Sequence, residues 1–311
     1  MNDFAEKFKK LEQEIVNEQR RLPFKSTLSI YYGVTGEKRY RLSFVSAMRP
    51  FELESTKEIK VTQGKESENV YWTCFDLLHD EAKDVFFIFC ESLVDSIIGY
   101  EDDFGALTAI RKRYNSWRLL LKNKGKMPYE MYQGLFGELY FLNEFLIGQI
   151  SANDAIKAWV GPDGFSKDFS INSTWFEIKT IGTSSSTIKI NSLTQLDSEV
   201  DGHLVSVMVE KMSDSFDNGM CSVHKLYQHI IEQISDNSIR EDFINKVLKY
   251  GYIDEDFNLN NHKFEVKNVK FYFVDNKFPK ITKNKLGVSE VSNVTYELII
   301  SAIEKYKEEL K

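Results

Sequence analysis

The chain has 311 residues, of which 42% are hydrophobic and 28% are charged, and its formal net charge is −7. This composition excludes a disordered chain and is ample for one large core or two modest ones. The negative charge excludes a global attraction to nucleic acid or to an acidic membrane surface, so any such contact must be local.

Targeting signals are absent from the sequence pattern. The amino-terminal residues are too charged for a secretory signal, and the apolar run at 85–90 is far too short to span a bilayer. The three cysteines are widely separated and odd in number, which argues against a disulfide framework and fits a reducing compartment. We therefore expect a soluble cytoplasmic protein with no membrane partner.

The sequence pattern of residues 1–100 predicts a helix followed by a strand-rich region. Apolar residues spaced three and four apart predict an amphipathic helix over 3–20. From 27 to 72, apolar and polar residues alternate as in a meander of short strands. The apolar segment 84–98 is interpreted as a buried helix, although its first residues fit a strand equally well.

A helix predicted over 105–121 opens the second region, residues 101–311, and carries a basic strip. No acidic residue occurs between Ala106 and Pro128. One interpretation is a phosphate-facing strip with aromatic residues between the charges. The other is a solvated helix face whose cations pair with carboxylates elsewhere. The candidate nucleic-acid-binding residues are Arg111, Arg113, Arg118 and Lys122, with Tyr114 and Trp117 interleaved.

The next helix is predicted over 128–147, with Pro128 in its first turn and Gly148 after its end. Leucines at three- and four-residue spacing form its buried stripe, and Glu138 lies beside them. Such a carboxylate is by default a boundary residue whose head reaches water. The alternative is a carboxylate directed at a metal site where the helix meets a sheet.

The most informative stretch is 159–181. In its second apolar run Glu177 and Lys179 are two residues apart, so they project from one face of a strand. Asp168 precedes the first run, and an antiparallel hairpin would bring it across from Glu177.

Parity limits this hairpin. Asp168 and Glu177 share a face only if an even number of residues connects the strands or a bulge intervenes. A two-residue loop at Asn172 and Ser173 satisfies that condition.

The remainder of the chain shows further strand and helix patterns but no internal repeat or obvious linker. The predicted elements are strands at 187–190, 204–209, 270–274 and 294–300, a helical turn from Ser192, helices at 223–234 and 238–250, and a final charged helix over 304–311. We therefore expect a mixed α/β (α+β) fold.

Carboxylates on adjacent strands beside a lysine suit metal-dependent hydrolysis. Asp168 and Glu177 offer hard oxygen ligands, and Mg²⁺ needs only one or two protein carboxylates plus substrate phosphate. The ammonium of Lys179 can orient or activate the attacking water and neutralise charge on phosphate. Taken alone, Glu-x-Lys is also the pattern of an ion pair on an exposed strand.

The order of these parts resembles the PD-(D/E)XK phosphodiesterase superfamily, and more narrowly the bacterial PD-(D/E)XK motif protein family of defence-associated nucleases. The resemblance covers residues 134–296 directly. The resembling segments are Gly134-Leu-Phe-Gly-Glu138, Trp159-Val-Gly-Pro162, Lys167-Asp-Phe169, Trp175-Phe-Glu-Ile-Lys179, Gln195-Leu-Asp197, Phe278-Pro279 and Val294-Thr-Tyr296.

The resemblance implies a restriction-endonuclease-like core, in which helices flank a central mixed sheet. It implies that Asp168 and Glu177 ligate Mg²⁺ or Mn²⁺ and that Lys179 serves the attacking water. Glu138 would contribute to catalysis and to the metal from its helix, directly or through water. Gln195 would be an auxiliary catalytic contact.

The aspartate of the motif has two candidates. Pro162-Asp163 spells the family name literally but lies in a Gly-flanked turn, whereas Asp168 precedes an alternating apolar run. We favour Asp168 and keep Asp163 second.

The activity implied is hydrolysis of DNA by an endonuclease in a bacterial restriction or anti-phage defence system. No nucleotide-binding motif occurs, so motor activity would come from a partner. The implied partners are DNA, defence-system subunits such as a methyltransferase or helicase, and a second copy in a homodimer. The alternatives are a catalytically silent nucleic-acid-binding or assembly subunit with the same fold, or a purely structural partner.

Overall fold

The computed structural model describes residues 4–12, 18–122, 127–252, 262–287, 290–291 and 293–309. The chain divides into two compact units, Met1–Lys126 and Met127–Lys311. Among the described helices, none is long and apolar enough to cross a membrane. All three cysteines are buried and free.

The first unit combines helices with an antiparallel sheet of strand order β1-β2-β3-β5-β4. Its elements are α1 (Phe4–Glu12), β1 (Gln19–Arg21), β2 (Ser29–Val34), β3 (Tyr40–Ser46), β4 (Ile59–Ser67), β5 (Val70–Leu77), α2 (Lys83–Asp95) and α3 (Asp103–Lys122). The predicted meander and the buried helix after it are confirmed. The helix predicted over 3–20 is wrong at its end, because residues 19–21 pair with β2, and these cross-strand hydrogen bonds outweigh the favourable helix propensity of glutamine and arginine. Residues 13–17 of that prediction lie outside the described residues.

The boundary between the units also differs from the sequence pattern, which places it at residue 100, before α3. The structure assigns α3 to the first unit. The rings of Tyr114 and Trp117 on α3 contact the rings of Phe75 and Phe89, so the helix completes the aromatic core of that unit.

The second unit is built on a five-stranded sheet of order β12-β10-β9-β7-β6, in which β7 and β9 are parallel and the other neighbours antiparallel. Its elements are α4 (Tyr129–Phe141), α5 (Ala152–Ala158), β6 (Phe169–Ile171), β7 (Thr174–Gly182), β8 (Thr187–Ile190), β9 (Gly202–Met212), α6 (Val223–Gln233), α7 (Asn237–Tyr250), β10 (Lys263–Val274), α8 (Lys283–Leu286), β11 (Tyr296–Ile299), α9 (Ile300–Ile303) and β12 (Lys307–Glu308).

Both faces of this sheet are covered, because its strands carry apolar residues on alternate sides. Phe176 and Ile178 belong to a core shared with α4, α5, α6 and α7. Trp175 and Ile181 belong to a second core, shared with β8, β11 and Phe278. The expected mixed α/β class, a mixed sheet flanked by helices, is confirmed.

Three sequence expectations need correction in this unit. The helix predicted to reach residue 147 is α-helical only to Phe141 and continues as a π-helical turn to Leu146. No helical turn begins at Ser192, where the chain forms turns and bends. The helix predicted over 304–311 is also wrong as far as residue 309, and residues 310–311 lie outside the described residues. Residues 304–306 form a 3-10 turn, and Lys307–Glu308 pair with β10, which supplies the hydrogen bonds that a short helix would lack.

Candidate active site

The β6–β7 hairpin has the register that the residue pattern predicts. Phe169 faces Phe176 and Ile171 faces Thr174, so Asn172 and Ser173 form a two-residue turn. Asn172 adopts a positive φ of 51°, which asparagine tolerates in tight turns. The predicted two-residue loop is confirmed.

Asp168 lies just before β6 and is fixed on both sides. Its Oδ2 accepts a hydrogen bond from the Ile178 N–H at 2.7 Å, and its carbonyl oxygen accepts from the N–H groups of Val160 and Gly161. Burial of its carboxylate raises the pKa of Asp168, while Lys179 and the Ile178 N–H lower it. The residue as a whole is partly exposed, whereas Glu138 and Glu177 are buried.

Asp163 is held elsewhere. It ends a 3-10 turn at Gly161–Asp163, and its carboxylate pairs with the ammonium groups of Lys246 and Lys249 on α7. Its charge is therefore neutralised by these lysines, and the geometry favours Asp168 over Asp163.

Glu177 is the most buried ionisable group on β7, with 1% of its side chain exposed. Lys179 Nζ lies 2.8 Å from Glu177 Oε1, but the contact lacks hydrogen-bond geometry. Neither carboxylate oxygen of Glu177 has a hydrogen-bond partner among the described residues. Burial and the nearby Asp168 raise the pKa of Glu177 to about 8, against the opposing effect of Lys179.

The charged form of Lys179 is favoured by the same neighbours. Burial lowers the pKa of Lys179, but attraction to Glu177 and Asp168 outweighs burial, so the pKa rises overall. The Lys179 side chain therefore stays protonated at neutral pH and acts as a cation.

Glu138 comes from α4 and is 7% exposed, so the default expectation of a boundary residue with its head in water is wrong. Its carboxylate accepts hydrogen bonds from Trp159 Nε1 at 2.7 Å and from the Tyr250 hydroxyl, whose closer contact is 2.6 Å. Burial and the charge of Asp168 raise the pKa of Glu138 well above its usual range, while these two hydrogen bonds lower it.

The sequence pattern missed the role of Tyr250 and of the lysine behind it. The Tyr250 ring stacks on Trp159 with centroids 5.9 Å apart. Lys246, four residues earlier on α7, donates to the carbonyl oxygens of Ile156 and Trp159. Helix α7 thus fixes both donors to Glu138. Trp159 lies in a segment singled out by the sequence pattern, but nothing local marks Tyr250.

The position of Glu138 also depends on Gly137. A Cβ atom placed on Gly137 would lie 1.8 Å from Thr180 Oγ1 on β7. Only glycine allows the helix to approach the strand this closely.

The Gln195 side chain stabilises the turn in which the residue lies. Its Oε1 accepts a hydrogen bond from the Asn191 N–H at 2.8 Å, and its carbonyl oxygen accepts from Lys167 Nζ. Neither contact reaches the carboxylates, so the described contacts do not place Gln195 in the site.

The basic strip on α3 does not face a ligand as a unit. Arg113 is 3% exposed and donates to Ser92 Oγ at 2.7 Å, and the interleaved aromatic residues Tyr114 and Trp117 are fully buried. Arg111 lies over the ring of Phe51, and Arg118 pairs with Glu54. Arg113 is therefore a core residue, and the phosphate-facing interpretation is wrong for it. For Lys122, the side chain falls outside the described residues.

The cluster contains three carboxyl groups, those of Asp168, Glu177 and Glu138. One cation, Lys179, is attracted to all three. Within the described ranges, no three His, Cys, Asp or Glu side chains form a complete metal-binding group. The unbonded oxygens of Glu177 beside Asp168 nevertheless fit Mg²⁺ or Mn²⁺, because such ions keep several waters and need few protein ligands.

Together, the mixed sheet, the hairpin with Asp168 opposite Glu177-x-Lys179, and the helix carboxylate have the arrangement that the resemblance to PD-(D/E)XK proteins implies. A family model described as "Putative PD-(D/E)XK family member, (DUF4420)" matches residues 4–301. The chain belongs to this family. Membership indicates a nuclease-type hydrolase. Neither the curated proteins nor the solved structures include a significant match.

Proposed function

We propose that the protein is a metal-dependent phosphodiesterase that hydrolyses DNA as an endonuclease. The observation that carries this proposal is Glu177, a buried carboxylate that forms an ion pair with Lys179 at 2.8 Å while neither of its oxygens accepts a hydrogen bond of good geometry. A buried, unsatisfied polar group costs folding free energy and therefore calls for an explanation. Glu177 and Asp168 would hold a divalent cation, which would supply contacts to the Glu177 oxygens and favour the ionised form of both carboxylates.

The proposed roles follow from the contacts of each residue. Asp168 and Glu177 would hold the Mg²⁺ or Mn²⁺ ion, and Glu138 would add its charge from α4, directly or through water. When bound, the ion would supply Lewis-acid stabilisation to the phosphodiester. Trp159 and Tyr250 keep the Glu138 carboxylate in one orientation through their hydrogen bonds.

The proposed role of Lys179 is electrostatic. Because its pKa is raised by Glu177 and Asp168 despite burial, it remains a donor and does not accept a proton from water. It would orient the attacking water and neutralise negative charge that develops on phosphate.

The test is cleavage of plasmid and linear DNA with Mg²⁺ or Mn²⁺. We expect Asp168→Asn and Lys179→Met to slow cleavage by at least about 10²-fold. The matched controls Asp163→Asn and Lys189→Met, which alter an ion-paired aspartate and an exposed lysine on β8, should cleave like wild type. Equal cleavage by all five proteins would end the assignment. Binding without cleavage by wild type would support the silent-subunit alternative.

The biological setting we propose is restriction or another anti-phage defence in a bacterium, together with subunits such as a methyltransferase or helicase. This step rests on the family resemblance alone. Equal plating of phage on hosts that express wild type and Lys179→Met would contradict it.

A further inference from the structure

In the described part of the first unit, the ring contacts between the helices and the antiparallel sheet all lie on one face of that sheet. The rings of Phe8 on α1, Phe89 on α2 and Tyr114 on α3 contact Tyr40 or Phe75. Because side chains alternate along a strand, the sequence neighbours of Tyr40 and Phe75 project from the opposite face.

That opposite face, which we call the open face, carries two aromatic residues and three cations. The strand register places Arg41 and Lys60 on either side of Asp76, and it places Tyr31 one row away from Trp72. Each of the five side chains is half-buried or exposed. The five residues are Arg21, Tyr31, Arg41, Lys60 and Trp72.

The Trp72 indole lies across the neighbouring strand of the open face. Gly64 on β4 is the cross-strand partner of Trp72, and a Cβ atom placed on Gly64 would lie 2.3 Å from Trp72 Cζ2. The missing side chain at Gly64 thus makes room for the indole. Trp72 is half-buried, and its indole N–H has no acceptor among the described residues, so part of the ring is available to a ligand.

The open face is positively charged, although the net charge of the chain is −7. Asp76 is the only acidic residue at the strand positions of this face, and Arg41 donates to both of its carboxylate oxygens. Arg21 donates to Ser29 Oγ, and neither Arg21 nor Lys60 has an ion pair among the described residues. Two cations beside the aromatic residues are therefore not neutralised.

We propose that the open face binds single-stranded DNA, with bases stacked on Trp72 and Tyr31 and backbone phosphates at Arg21 and Lys60. Aromatic rings in a basic groove stack unpaired bases with little regard to sequence, and the cations bind the phosphates. In a duplex the bases stack on one another, so a strand without a partner is the better ligand. This inference goes beyond the proposed function, because it requires neither cleavage nor a metal ion.

The first test is tryptophan fluorescence in EDTA, which removes divalent cations from the carboxylate cluster. Trp72 is a selective probe because the other tryptophans, Trp117, Trp159 and Trp175, are buried. The difference in emission between wild type and Trp72→Phe isolates Trp72. We expect an oligothymidylate of about 12 nucleotides to quench this emission, whereas a duplex of the same length should leave it nearly unchanged.

The second test is binding of the same oligothymidylate, labelled with a fluorophore, by anisotropy over a series of NaCl concentrations. Trp72→Ala should weaken binding at least about fivefold, and Trp72→Phe should retain most of the affinity. Arg21→Met and Lys60→Met should each reduce the slope of log K against log salt by about 0.7, the value for one phosphate on a single strand. The control Lys65→Met, which alters an exposed lysine on the opposite face of β4, should leave the slope unchanged.

Two results would overturn the inference. One is unchanged Trp72 emission at saturating oligothymidylate, and the other is an equal change of slope in Lys60→Met and Lys65→Met. Both lysines are exposed, so their comparison does not depend on the fold of the Trp72→Ala variant. Failure of wild type to cleave DNA would contradict the proposed function alone, since binding in EDTA tests the open face separately.

Discussion

Replacement of Glu177 by glutamine is expected to slow DNA cleavage by at least about 10³-fold while making the metal-free protein more stable at alkaline pH. The loss of activity follows from removal of a proposed metal ligand. The gain in stability follows from the burial of Glu177, whose oxygens have no hydrogen-bond partner among the described residues. A loss of activity together with a gain in stability is the pattern expected of a functional residue and not of a structural one.

The direction of the pH dependence follows from the two pKa values. Burial and Asp168 raise the pKa of Glu177 to about 8 in the folded chain, from an ordinary value of 4.5. Between these values the folded state binds more protons than the unfolded state, so stability falls as pH rises. Below about pH 4.5 this penalty is absent, and above about pH 8 it is complete.

Urea unfolding in a chelator measures the effect. The free-energy difference between Glu177→Gln and wild type should be near zero at about pH 5 and on the order of 2 kcal/mol in favour of the variant at about pH 9. Glu210→Gln alters a half-exposed glutamate on β9 and should show no such trend. A variant less stable than wild type at alkaline pH would mean that the ionised Glu177 is stabilised by contacts that the proposal omits.

Replacement of Gly137 by alanine is expected to destabilise the fold by about 2–3 kcal/mol and to impair cleavage. The new methyl would meet Thr180 Oγ1 at 1.8 Å and Thr180 Cβ at 3.1 Å, so the Thr180 side chain must rotate and α4 and β7 must move slightly apart. Because Glu138 is the next residue, the shift would displace its carboxylate from Trp159 and Tyr250.

The same helix supplies the control. A Cβ on Gly134 meets nothing within 4 Å, so Gly134→Ala should be neutral or stabilising by up to about 1 kcal/mol through helix propensity. Thr180→Ala removes the colliding hydroxyl and should recover much of the loss in a Gly137→Ala/Thr180→Ala double variant. Equal effects of alanine at the two glycines, measured by urea unfolding, would contradict the collision.

Much of the candidate site was predictable because it is local in sequence. The period of two on β7 places Glu177 and Lys179 together, and parity fixes the two-residue turn at Asn172 and Ser173. Side-chain alternation and turn length are properties of short segments, and neighbouring residues determine them.

The rest depends on contacts between distant parts of the chain. Tyr250 is 112 residues from Glu138, and no local pattern marks it as a donor. For the basic strip, helical spacing could have predicted the burial of Arg113. Arg113 is four residues from Trp117 and therefore lies on the same face of the helix, which is buried. The charged composition of the carboxyl terminus suggested a helix, but pairing with β10 decided for a strand at Lys307–Glu308.

Calorimetric titration of Mn²⁺ into the purified chain tests most directly whether the carboxylate cluster is a cation site. Wild type and Asp163→Asn should bind Mn²⁺ alike, because Asp163 is paired with Lys246 and Lys249. Asp168→Asn and Glu177→Gln should each weaken binding by at least about tenfold. Unchanged binding in these last two variants, or loss of binding only in Asp163→Asn, would contradict the site described above.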